Sequence, residues 1–154
     1  MEAQQQSSAV VKDLIIINND RYEGYMTAAK ETKDSDLQSL FTEFANQSKK
    51  FAEELRRFVP ANSDQPERDE TKNTGKLYRV WMDLKAAVSG HDRKTVLDNC
   101  EFGEDAAQKA YDMALNSDEE IEAPIRELIV RQKTALKSGH DEVKRLRDMH
   151  KANH

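Results

Sequence analysis

Apolar residues recur at helical spacing along most of the chain. Between Ser8 and about Thr32 they fall at Val11, Leu14, Ile15, Tyr22, Met26 and Ala29, the repeat of one helix face. The run Leu14–Ile17 alone would also suit a strand, because β-branched isoleucine is stiff at χ1. The helical continuation through Ala28 and Ala29 decides for a helix. Residues 1–7 are polar and carry no apolar stripe, so they are expected to be disordered. Ser35, with Gln38 three residues on, has the pattern of a capping box. A second helix follows it with Leu37, Leu40, Phe41, Phe44, Phe51, Leu55 and Phe58, and ends before Pro60.

Residues 60–75 are polar and rich in turn formers, and read as an exposed connection. Lys76–Gly90 then predicts a shorter helix with Leu77, Val80, Trp81, Leu84 and Val88 inward and Gly90 as its stop. Asp92 is placed to cap a helix from Arg93 to Leu115, and Asn116–Asp118 makes a turn with a cap at Ser117 or Asp118. The last helix, about Glu119 to Met149, buries Ile121, Ile125, Leu128, Ala135, Leu136, Val143 and Leu146. Connections as short as Lys33–Ser35 and Asn116–Asp118 force two antiparallel hairpins. A crossover of about residues 60–92, partly helical, joins them. The expected class is therefore all-α: a single domain over residues 1–154 with the connectivity of a ferritin-like four-helix bundle.

Composition narrows the function more than the fold. Of 154 residues, 37% are hydrophobic and 34% charged, with 5 glycines and 3 prolines, which suits long amphipathic helices with solvated outer faces. A formal net charge of -5 argues against a nucleic-acid partner, which calls for clustered Lys and Arg. No apolar run reaches the ~18 residues of a membrane span, so no membrane partner is expected. The start lacks the basic-then-apolar order of a secretion signal, and a cytoplasmic location follows as the expectation. Cys100, the single cysteine, excludes an intramolecular disulfide and any multi-cysteine metal site. An assembly of identical chains is compatible with all of this.

The candidate chemistry lies where each long helix interrupts its apolar stripe: Asn19 and Glu23, Gln47 and Ser48, Glu104, and Gln132. Counted from the two tight turns at 1.5 Å rise per residue, these positions are level within roughly one helical turn. They predict a central polar layer of Asn19, Glu23, Gln47, Glu104 and Gln132. Ferritin-like di-iron proteins place their metal there, held by two Glu and two Glu-x-x-His motifs. Here Val88, Lys137, Arg147 and Lys151 stand three residues before the four histidines, so that motif is missing. Glutamines are weak substitutes as ligands.

Glu104 is accordingly read as a buried carboxylate satisfied by neighbours, with Gln47, Gln132, Arg131, Lys133, Tyr22, Tyr25 and Tyr111 as candidate partners. Metal ligation by Glu23, Glu101 and Glu104, taking iron or another divalent ion, is the alternative. Acid–base work is a third reading. His140 and His91, each in a Gly-His-Asp triplet, could form a small His/Asp cluster, and Cys100 reads as a core residue.

The segments DLIIINNDRYEGYMTAAKET, LYRVWMDLKAAVSGHDRKTVLDNCEFGEDAAQKAYDMAL and RQKTALKSGHDEVKRLRD resemble the bacterial ferritin-like four-helix-bundle family classed as domain of unknown function 2383. The resemblance covers about Val10 to Asp148. It implies a ferritin-like bundle with a helical crossover and implies no reaction; family members usually carry Arg where Phe102 stands. The expected protein is thus a non-enzymatic bundle without a cofactor, the alternative being a carboxylate iron protein in metal handling or oxidative-stress defence.

Overall fold

The computed structural model describes the backbone of residues 2–59, 76–90, 92–116 and 121–153, with side chains over residues 9–59, 80–90, 92–116 and 121–152. It is all-α. The helices are α1 (Glu2–Glu31), α2 (Ser35–Arg56), α3 (Lys76–Gly90), α4 (Arg93–Leu115) and α5 (Ala123–Asn153). Among the described residues no helix is long and apolar enough to cross a membrane.

Local chemistry explains most boundaries. Asp92 caps α4 by accepting the Thr95 backbone N–H at 3.0 Å, satisfying one of the orphan donors of a helix start. Pro124 sits in the first turn of α5, where its missing N–H has no partner to lose. Two expectations shift at helix starts. Asp34, not Ser35, is the N-cap residue of α2, and its side chain makes no capping bond. The Asp34 carboxylate is instead drawn away to Arg93, 3.2 Å from its Nη1. The backbone of α1 is helical from Glu2, where disorder was expected, although the side chains of residues 2–8 lie outside the described set. The caps expected at Ser117 or Asp118 also lie outside it.

α1 packs on α2, α3 and α4; α4 packs on α3 and α5; and α5 also touches α2. Contacts run in opposite senses along the first hairpin, with Arg21 against Phe44 and Ser48 and Asn18 against Ser48. The same holds for the second, with Tyr111 against Gln132 and Asp105 against His140. Because α1 is covered on three sides, four successive polar residues are buried in it: Asn18, Asn19, Asp20 and Arg21. One apolar cluster, with Val11, Leu14, Ile15, Leu55 and Ile129, lies at one end. The other, around Tyr25, Phe41, Trp81, Leu84 and Leu97, lies at the α3 end.

Trp81 fixes how α3 seats on the rest. It is 2% exposed and lies over two glycines, one on α1 and one on α4. A Cβ at Gly103 would come 2.7 Å from its Cζ3, and one at Gly24 would come 3.0 Å from its Cε3. The indole fills space that only hydrogen side chains leave on both helices. Its ring centroid is 5.1 Å from that of Tyr25, nearly edge-on, a favourable aromatic geometry.

Candidate functional site

The centre of the molecule is a buried ion pair between α1 and α4. Arg21 Nε donates to Glu104 Oε2 at 2.9 Å and Nη2 to Oε1 at 2.9 Å, the two-pronged geometry that a planar guanidinium makes with a carboxylate. Both residues are 1% exposed. Tyr25 Oη adds a third donor to Glu104 Oε2 at 2.9 Å. The remaining prong of Arg21, Nη1, donates to α2: to Ser48 Oγ at 2.8 Å, Gln47 Oε1 at 3.0 Å and the Phe44 carbonyl at 3.1 Å. The guanidinium also lies 5.0 Å and 5.3 Å from the ring centroids of Phe44 and Tyr25, close enough for cation–π attraction.

From this pair a chain of hydrogen bonds reaches the other two walls. Ser48 Oγ donates to Asn18 Oδ1 at 3.0 Å, and Asn18 Nδ2 donates to Tyr111 Oη at 2.8 Å. Tyr111 Oη donates in turn to Gln132 Oε1 at 2.7 Å, and Gln132 Nε2 reaches the Phe51 carbonyl and Glu54 Oε1, both at 3.2 Å. The network touches α1, α2, α4 and α5, and gives each of these buried polar groups a partner, as a dry interior requires.

The electrostatics follow from burial and this pairing. Burial opposes the charge on Arg21, but Glu104 more than offsets it, and the guanidinium holds its proton more tightly than usual. Burial, reinforced by Glu104, pushes the hydroxyl of Tyr25 and the thiol of Cys100 well up. Tyr111 is raised mainly by burial. These groups stay protonated at neutral pH, and none is poised as a base or nucleophile.

The sequence-derived residues divide. Glu104, Gln47, Gln132 and Ser48 join the network, and Asn19 is buried beside it. Glu23 stands outside: its side chain is 53% exposed and pairs with Lys85 of α3 at 3.0 Å. The network is served from α1 by Asn18, Arg21 and Tyr25, so Glu23 falls two residues from the inward positions Arg21 and Tyr25, while Asn19 is buried next to Asn18. Of the expected partners of Glu104 only Tyr25 touches it; Arg131 is exposed, and Lys133 pairs with Asp112. Arg21, the decisive partner, was missed. Its one legible signal is the spacing Asn18–Arg21–Tyr25, which puts three polar tips on one helix face. Trp81 is turned inward, as its place on the apolar stripe of α3 predicts.

The residues present do not fit a di-iron centre at this height. Both oxygens of Glu104 are held by Arg21 and Tyr25, Glu23 is turned to Lys85, and the buried Arg21 guanidinium repels a second cation beside Glu104. Glu101 belongs elsewhere. It lies on the α4–α5 surface with Asp105 and His140, one potential ligand atom of each being within 4.8 Å of the others. Arg147 of α5 pairs with it there. His91, the expected companion of His140, lies outside the described residues; His140 meets Asp105 and Asp141.

A family model described as "Domain of unknown function (DUF2383)" matches residues 6–117. No curated protein matches the chain. The matched span contains Arg21, Tyr25, Gln47, Ser48, Trp81, Glu104 and Tyr111, and so three of the four walls around the buried pair; Gln132 and His140 lie beyond it. With the model covering α1 through α4, the chain belongs to the family defined as Domain of unknown function (DUF2383).

Proposed function

We propose that this protein is a ferritin-like four-helix bundle that works as a non-enzymatic scaffold, with α3 as its helical crossover. In this reading α1, α2, α4 and α5 form the bundle, and the Arg21–Glu104 pair takes the mid-height place that metal ligands hold in di-iron proteins of that architecture. The observation that carries it is the complete engagement of Glu104 by Arg21 and Tyr25. Such a site offers no open carboxylate oxygen to a ligand. A buried ion pair of this kind contributes less to net stability than to fixing which helices meet and in which register. The single buried cysteine is compatible with a reducing, cytoplasmic setting.

The test is reconstitution of the purified chain with Fe(II) under anaerobic conditions, followed by iron analysis and an assay of oxygen-dependent iron oxidation. Wild type and Glu104→Gln should carry the same amount of iron and show no turnover. Stoichiometric iron that disappears in Glu104→Gln while persisting in His140→Ala would overturn this reading.

A further inference from the structure

We propose that Glu101, Asp105 and His140 form a binding site for a single divalent transition-metal ion on the surface between α4 and α5. Glu101 and Asp105 are one turn apart on α4, which puts both carboxylates on one face. His140 approaches from α5, its Nε2 2.6 Å from Asp105 Oδ1. The three ligand atoms lie within 4.8 Å of one another. Ligands each about 2.1 Å from a tetrahedral ion lie about 3.4 Å apart, a spacing reached here by modest side-chain rotation.

Two further features favour a cation over a plain ion-pair cluster. The other ring nitrogen of His140, Nδ1, faces Asp141 Oδ1 at 3.3 Å. A proton held there leaves the Nε2 lone pair for the metal, the carboxylate–histidine–metal relay common around bound ions. Asp141 is outside the ligand set, so this arrangement is additional to the ligand cluster. Three carboxylates also converge on one imidazole: Asp105 and Asp141 both meet His140, and Glu101 offers an oxygen within 4.8 Å of the ligand atoms of Asp105 and His140. Arg147 bonds both Glu101 and Asp148, and can keep Asp148 while releasing Glu101.

The donor set selects the ion. One imidazole with two carboxylates suits Zn(II), and also Co(II) or Ni(II), better than Mg(II) or Ca(II), which prefer oxygen alone. The side chains of Glu101 and His140 are 20% and 21% exposed and that of Asp105 46%, so an ion enters from solvent and keeps water in its remaining position. The site is separate from the Arg21–Glu104 pair and is independent of the closed-centre reading.

Calorimetric titration of the full-length, metal-stripped chain with Zn(II) tests the proposal, with Co(II) absorption reporting coordination. One ion per chain is expected, with affinity at least about tenfold weaker in His140→Ala and in Asp105→Asn. Arg147→Ala, which frees Glu101, should bind more tightly. A His150→Ala/His154→Ala control, removing the histidines near the C-terminus, and Glu104→Gln should both match wild type. Circular dichroism establishes that each variant folds, and Zn(II) should raise the melting temperature of wild type but not of His140→Ala. Equal titrations for wild type and His140→Ala, or no one-to-one binding by the folded wild type, would overturn it. Binding lost in Glu104→Gln but kept in His140→Ala would overturn both this site and the closed centre.

Discussion

Arg21 and Glu104 face each other across α1 and α4 with two parallel hydrogen bonds of 2.9 Å, and neither side chain reaches solvent. The arrangement makes the pair conditional: each residue is tolerable in the interior only because of the other.

Removing one partner should therefore cost far more than removing both. Arg21→Met leaves Glu104 with only Tyr25, and should destabilise the fold by about 3–5 kcal/mol. The double change Arg21→Met/Glu104→Met should recover most of that loss, and ends near neutral or stabilised by up to about 4 kcal/mol. Urea unfolding of the two singles and the double gives the coupling directly. Simple additivity of the two single effects would contradict the pairing.

Tyr111 relays the network from α1 to α5, accepting from Asn18 and donating to Gln132. Tyr111→Phe keeps the ring but deprives both partners, and should cost about 1–3 kcal/mol. Tyr22→Phe, on a partly buried ring outside this hydrogen-bond network, serves as the control and should stay within about 0.5 kcal/mol.

The seat of α3 can be tested at Gly103. The Cβ of Gly103→Ala would meet Trp81 Cζ3 at 2.7 Å and Cη2 at 2.8 Å, an overpacking expected to cost about 1–3 kcal/mol. Trp81→Phe creates space at the same point, so the two changes should be strongly non-additive. Thermal melts of both singles and the double measure the coupling, and independence would mean that Trp81 does not fill the α1–α4 gap.

Alkaline pH should attack the interior in a defined order. Cys100, Tyr25 and Tyr111 have raised values in the folded chain, so the unfolded chain gives up their protons first. Stability from these groups is complete below their ordinary values, 9.0 for the thiol and 10.0 for the phenols, and falls as pH rises beyond each. Cys100→Ala should delay the first part of the decline. Absorbance near 295 nm should show Tyr25 and Tyr111 ionising only with the unfolding transition. A thiol reagent should modify Cys100 at the rate of opening, and rapid labelling of folded protein would contradict its burial.

Helix content was legible because amphipathic periodicity and a few punctuating residues act locally. α3 and α4 lie over the spans their patterns predict, and Asp92 caps α4 as its position suggests. Asp34 shows where local reading stops: Arg93, nearly sixty residues away in sequence, is hydrogen-bonded to its carboxylate. Glu104 was visible as a polar residue on an apolar stripe. Its partner was not, because the inward face of α1 cannot be phased from hydropathy when three helices surround it and Asn18 to Arg21 are all buried.

By itself the sequence determined an all-helical chain, its main helices and a carboxylate at mid-height in α4. Each of these depends on spacing within a few residues. Only the tertiary structure decided that Arg21 would meet that carboxylate, that Glu23 would turn to Lys85, and that Glu101 would gather with Asp105 and His140. Those outcomes depend on the rotation of whole helices about their axes. A turn of roughly 100° moves every side chain by one position, and packing among α1, α2, α3 and α4 sets that rotation.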